Sequence, residues 1–138
     1  MDTSTMHIQK DLNCDDFQNQ VEEVLIRHKS ILDIITKLDE YTSRINRAVV
    51  KSVTSCGCIE IHATMQDYNK ESLAEIKDNM EDHVKGELCP SCKEILQEEI
   101  GAYIFYLAAL CNTLDVSISD ALLKEYSNMK ALGIFSLK

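Results

Sequence analysis

The chain is short of the residues that make turns: one proline and four glycines in 138 positions. A sheet with many hairpins needs more of both, so the scarcity favours long helices. No run of about 18 apolar residues occurs, which excludes a membrane-spanning helix on length alone. The start Met1-Asp2-Thr3-Ser4-Thr5 has neither the basic beginning nor the apolar stretch of a signal peptide, and a cytoplasmic location is expected. Positive charge is also scarce. Fourteen Lys and Arg stand against 23 Asp and Glu, a formal net charge of -9, so nucleic acid would be repelled unless a basic patch were set apart. The best candidate for one, Arg44, Arg47 and Lys51, is thin, and no nucleic-acid partner is expected.

What is present fits a folded protein. Hydrophobic residues make up 45% and charged residues 27%, near the globular average, so disorder is not indicated. The length suits one domain with its own core, spanning 1–138. Residues 1–13 are polar and unpatterned and read as a flexible arm. After Asp15 and Asp16, which can cap a helix, Phe17, Val21, Val24, His28, Ile31, Ile35, Leu38, Thr42, Ile45 and Val49 alternate spacings of four and three. That is the seam of one long helix ending near residues 52–55. His28 interrupts the seam and reads as a packed histidine with a hydrogen-bond partner. The seam is longer than one small bundle needs, so a second copy is expected against it, giving a homodimer.

Residues 58–63 alternate too briefly for a sheet and read as extended loop. Leu73, Ile76, Met80 and Val84 line one face of a short second helix, which Gly86 stops. Cys89-Pro90-Ser91-Cys92 opens a third helix, since proline in a first turn forfeits no needed amide. Its apolar set from Ile95 to Leu114 is nearly continuous and predicts a buried central helix. Ser119 caps the last helix, with Ile118 and Leu123 as a staple, and Gly133 ends it. The short link between the third and fourth helices predicts antiparallel neighbours. The fold class expected is all-α: a bundle of about four helices with a long N-terminal helix and a metal-binding insertion at 56–92.

That insertion carries the clearest chemistry. Cys56 and Cys58 form C-x-C, and Cys89 and Cys92 form C-P-x-C; such short spacers let two sulfurs from one turn reach a single ion. Gly57 permits a tight first knuckle, and Cys92 lies where helix amides favour a thiolate. Disulfides are disfavoured because a reducing compartment keeps thiols free and C-x-C closes a strained ring. Structural zinc is the expected occupant. An iron-sulfur cluster could use the same sulfurs, reactive redox thiols are another reading, and His62 or His83 could replace one ligand. Cys14 and Cys111 lack partners, and Cys111 reads as core.

Glu94, Glu98 and Glu99 crowd one stretch of the third helix, where Glu94 and Glu98 share a face that could hold Mg²⁺ or be solvated. The stretch Leu96-Gln97-Glu98-Glu99-Ile100-Gly101-Ala102-Tyr103-Ile104-Phe105-Tyr106-Leu107, followed by Leu114-Asp115-Val116-Ser117-Ile118-Ser119-Asp120-Ala121-Leu122, resembles the MazG-like all-α nucleoside triphosphate pyrophosphohydrolases. The resemblance covers about 40 residues, 94–133. It implies an all-α fold, a nucleotide ligand, and Mg²⁺ held by carboxylates on two helices to activate water. Glu98 and Glu99 match two of those carboxylates. Ala102 stands in place of the motif's aspartate and offers no oxygen to a metal; Asn128 and Lys130 faintly echo the residues the family places after its last helix. Three readings follow: a divergent Mg²⁺-dependent nucleotide pyrophosphohydrolase with a structural zinc, a noncatalytic zinc-stabilised interaction or regulatory protein, and a thiol-based redox or metal sensor.

Overall fold

A computed structural model describes residues 12–138. Five α-helices are present among them: α1 (Cys14–Val24), α2 (Ile31–Lys51), α3 (Leu73–Asn79), α4 (Pro90–Thr113) and α5 (Ile118–Leu132). Two three-residue strands, β1 (Ile59–Ile61) and β2 (Val84–Gly86), pair antiparallel with Ile59 opposite Gly86. The fold is therefore all-α with a small ribbon on the knuckle. Among the described residues no single helix is long and apolar enough to cross a membrane.

The principal packed pair is α2 with α4. Tyr41 stacks on Tyr106, Arg44 reaches Glu99, and Cys56 meets Cys89, so partners advance along one helix as they retreat along the other and the pair is antiparallel. Helix α1 lies across α4 and also touches α5. Val21, Ile34, Ala108 and Ala109 form the buried cluster, with Phe17, Leu25, Leu38, Phe105, Leu110 and Ile118 packed around it. The two alanines let the helices approach closely at that crossing.

The long seam is real in its phase but not in its continuity. The chain leaves helical geometry at Leu25 (φ -71°, ψ 117°), and the Ser30 hydroxyl accepts the Leu32 amide to start α2 afresh, as a good N-cap does. Apolar periodicity persists across the break because Val21 and Ile34 enter the same cluster from either side of it. His28 sits in the break, half-buried, edge-on to Tyr106, with Asp33 3.8 Å from its Nδ1. Asn13, not Asp15 or Asp16, caps α1, its Oδ1 accepting the Asp16 amide; the two aspartates occupy the first turn, where they suit the helix dipole. Most of the expected arm, residues 1–11, lies outside the described residues.

Five further expectations are corrected. The stretch read as loop pairs as β1. The second helix stops at Asn79, and Val84 and Gly86 belong to β2; three-residue strands are too short to show a period, so ladder pairing alone reveals them. Ser117 rather than Ser119 caps α5, accepting the Asp120 amide, while the Ser119 hydroxyl donates to Asp15. The last two helices are not antiparallel either: the chain turns through 105° between them. Asp115 in the left-handed region (φ 56°) makes that corner, and Gln18 holds it, donating through Nε2 to the Val116 carbonyl and accepting the Ile118 amide. Nor is α4 buried along its length, since Ile95, Ile100 and Ile104 stay 48%, 38% and 41% exposed.

Candidate metal centre

The first half of the centre is built by the end of α2. After Lys51 the helix widens into a π-helical turn, Ser52–Cys56, closed by the Gly57 amide donating to the Ser52 carbonyl at 2.9 Å. Gly57 lies in the left-handed region (φ 76°), a conformation glycine adopts without penalty. The chain therefore reverses at once, so that the Cys56 and Cys58 sulfurs stay within 4.8 Å of each other, with the Cys58 sulfur 3.8 Å from the Ser52 carbonyl. Ser52 is buried and Ile59 nearly so, which anchors the knuckle at both edges.

The second half is the start of α4. Cys89 is its N-cap; the Cys92 amide donates to the Cys89 sulfur at 3.4 Å, and Pro90 takes the first helical position. The β1–β2 ladder carries the chain back so that this turn meets the first. Gly86 is the point of contact. Its φ of 86° is left-handed, and a Cβ there would stand 2.6 Å from the Cys58 carbonyl oxygen, so only glycine fits.

The four sulfurs of Cys56, Cys58, Cys89 and Cys92 all lie within 4.8 Å of one another. The Cys56–Cys89 separation is 3.8 Å, far beyond a disulfide bond, and all six cysteines are free. A tetrahedron with metal–sulfur bonds of about 2.3 Å has sulfur–sulfur edges of about 3.8 Å. The thiols are thus spaced as ligands of a common ion are, and their donor set is one that a soft or borderline cation prefers.

Electrostatics within the cluster are uneven. The Cys92 amide, then the Cys92 thiol, hold Cys89 down to about 7 against burial, with Cys56 and Cys58 assisting. For Cys92, the hydrogen bond with Ser52 pulls downward, but Cys89, burial, Cys56 and Cys58 outweigh it and push the thiol up to about 12. Cys56 is also raised: hydrogen bonding to Cys92 lowers it, and Cys89, Cys58 and burial prevail. Four sulfurs this close cannot all be thiolates unless a cation replaces their protons.

His62 and His83 stand apart from this set. His62 Nε2 pairs with Glu60 at 2.8 Å, and His83 Nε2 lies 3.3 Å from the Thr64 hydroxyl. Cys111 is a half-buried thiol on α4 whose pKa burial raises. The glutamates divide. Glu94 and Glu98 are exposed; Glu99 is half-buried, with Oε1 3.9 Å from Arg44 and Oε2 shielded from solvent with no partner. Among the described residues the four cysteines are the one cluster of His, Cys, Asp or Glu side chains close enough to share an ion; the three glutamates do not converge. Ser52, Ile59 and Gly86 are the functional residues that spacing did not reveal. Gly86 alone left a signal, being a glycine three residues before a cysteine pair. No protein family, curated protein or solved structure matches this chain.

Proposed function

We propose that the four cysteines bind one structural zinc ion, and that the protein is a MazG-like helical protein in which the zinc-braced α2–α4 pair serves binding or regulation rather than nucleotide hydrolysis. The convergence of two distant cysteine pairs to ligand spacing carries the zinc reading. Zinc suits four thiolates in tetrahedral array better than the hard cations do, and a reducing compartment such as the cytoplasm keeps those thiols available. The surroundings of Glu99 support the noncatalytic reading. A Mg²⁺-dependent hydrolase needs carboxylates facing one another, whereas α2 presents Arg44, Arg47 and Lys51 to this stretch of α4, and Ala102 adds no oxygen. We also propose that a second copy covers the exposed part of the apolar seam on α2, where Ile35 and Val49 are 47% and 37% exposed; light scattering at micromolar concentration should give twice the chain mass, and a monomeric mass would reject it.

Hydrolysis is the reading to test against. A panel of nucleoside triphosphates with Mg²⁺ or Mn²⁺ should yield no phosphate or pyrophosphate above the rate without protein. Metal-dependent release abolished by Glu98→Gln would restore the enzyme. A sensor role has one observation in its favour, the exposure of Cys56, and predicts zinc release under mild peroxide; retention of the ion would leave it purely structural.

A further inference from the structure

Beside the four thiols, between α2 and α4, lies an open cleft of about 660 Å³, within the range of roughly 300 to 1,000 Å³ usual for small-molecule sites. Its walls combine four kinds of group. Arg44, Arg47 and Lys51 recur at spacings of three and four and so share one face of α2. Ala48 and Ile95 supply apolar surface. Glu99 is the one carboxylate, and Cys56 and Cys92 close the end nearest the metal centre. Three cations against one carboxylate is a local reversal in a chain of net charge -9.

The fold does not explain all three cations. Arg44 lies over the Tyr41 ring and near Glu40 and Glu99, but among the described residues Arg47 and Lys51 have no ion pair or side-chain hydrogen bond. Lys51 suits the C-terminus of α2. Arg47, midway between two like charges one turn off, gains nothing comparable, since like-charge pairs at that spacing destabilise a helix. Facing them, Glu99 is the single carboxylate of the cleft, with its Oε1 3.9 Å from Arg44, too far for a hydrogen bond. A divalent cation would be repelled by the three positive charges. An anion alone would leave Glu99 unsatisfied.

We infer that this cleft binds a small organic anion with an apolar body and a hydrogen-bond donor: the anionic group on Arg47, Lys51 and Arg44, the body on Ala48 and Ile95, and the donor on Glu99. The inference rests on the zinc reading in one respect, that the ion fixes the wall formed by Cys56 and Cys92.

Titration calorimetry on the zinc-loaded full chain, with zinc measured on the same samples, tests it using 4-hydroxyphenyl phosphate, phenyl phosphate and inorganic phosphate. Both aryl phosphates should bind saturably at one site, the hydroxylated one more tightly, and inorganic phosphate more weakly than either. Replacing Arg47 and Lys51 together by Gln removes two charge-assisted contacts and should weaken binding at least about tenfold, with unchanged circular dichroism because both side chains are exposed. Absence of saturable binding, equal binding of inorganic phosphate, or affinity unchanged in the double variant would overturn the site; equal affinity of the two aryl phosphates would overturn the role of Glu99. A silent cleft in protein that holds its zinc defeats this inference and leaves the metal centre standing. Binding in protein that holds none supports the cleft and removes its dependence on the ion.

Discussion

The two ends of the α2–α4 pair are held by opposite means. At one end Val21, Ile34, Ala108 and Ala109 exclude water, and Gln18 spans from α1 to the α4–α5 corner with hydrogen bonds of 2.7 and 3.0 Å. At the other, Ile59 is the one buried apolar side chain, the strands are three residues long, and four sulfurs lie within 4.8 Å of one another. Apolar burial stabilises at about 25 cal/mol per Å² without regard to direction; metal ligation stabilises through four directed bonds and only when the ion is present. The contrast teaches that one end should be insensitive to chelators and the other governed by them.

Removing the ion is the largest perturbation of that contrast. Structural zinc contributes on the order of 10 kcal/mol to folding in small modules, so a strong chelator, or Cys92→Ser, should strip hydrogen-exchange protection from residues 52–62 and 84–92. Amides near Ala108 should keep theirs. Uniform loss across both ends would show that they are not separate. Ile34→Ala attacks the other end. Ile34 is fully buried, and its truncation should cost about 2 to 5 kcal/mol of global stability, read by urea denaturation, while zinc content stays at the wild-type value.

Gly86→Ala sharpens the comparison without touching a ligand. A left-handed φ of 86° and a Cβ 2.6 Å from the Cys58 carbonyl should together cost about 2 kcal/mol, concentrated at the knuckle and read as faster zinc transfer to a chromophoric chelator. Transfer at the wild-type rate would mean that the ladder does not brace the ligands. The smallest effect belongs to Gln18→Ala. It leaves the Val116 carbonyl and Ile118 amide to water and should lower stability by about 1 kcal/mol, with no change in zinc transfer.

How much of this was legible depended on how local each signal is. The two cysteine pairs were readable because C-x-C and C-P-x-C carry their chemistry in three or four residues, and the start of α4 was readable from Pro90. The break at Leu25–Ser30 was hidden because Val21 and Ile34 keep one helical phase across it; periodicity reports which face is buried, not whether the backbone is continuous. The 105° corner before α5 was hidden for a different reason. It depends on Asp115 adopting a left-handed φ and on Gln18, about a hundred residues upstream, satisfying the corner's backbone. The glutamates show the same limit: spacing placed Glu98 and Glu99 on one helix, but what faces Glu99 is set by α2, which sequence proximity does not reveal.

Metal analysis of protein purified without exposure to any chelator tests the central claim most directly. About one equivalent of zinc per chain is expected, falling together with knuckle order when Cys56 or Cys92 is replaced. Well under half an equivalent of any transition metal, with the knuckle still protected from exchange, would contradict the account.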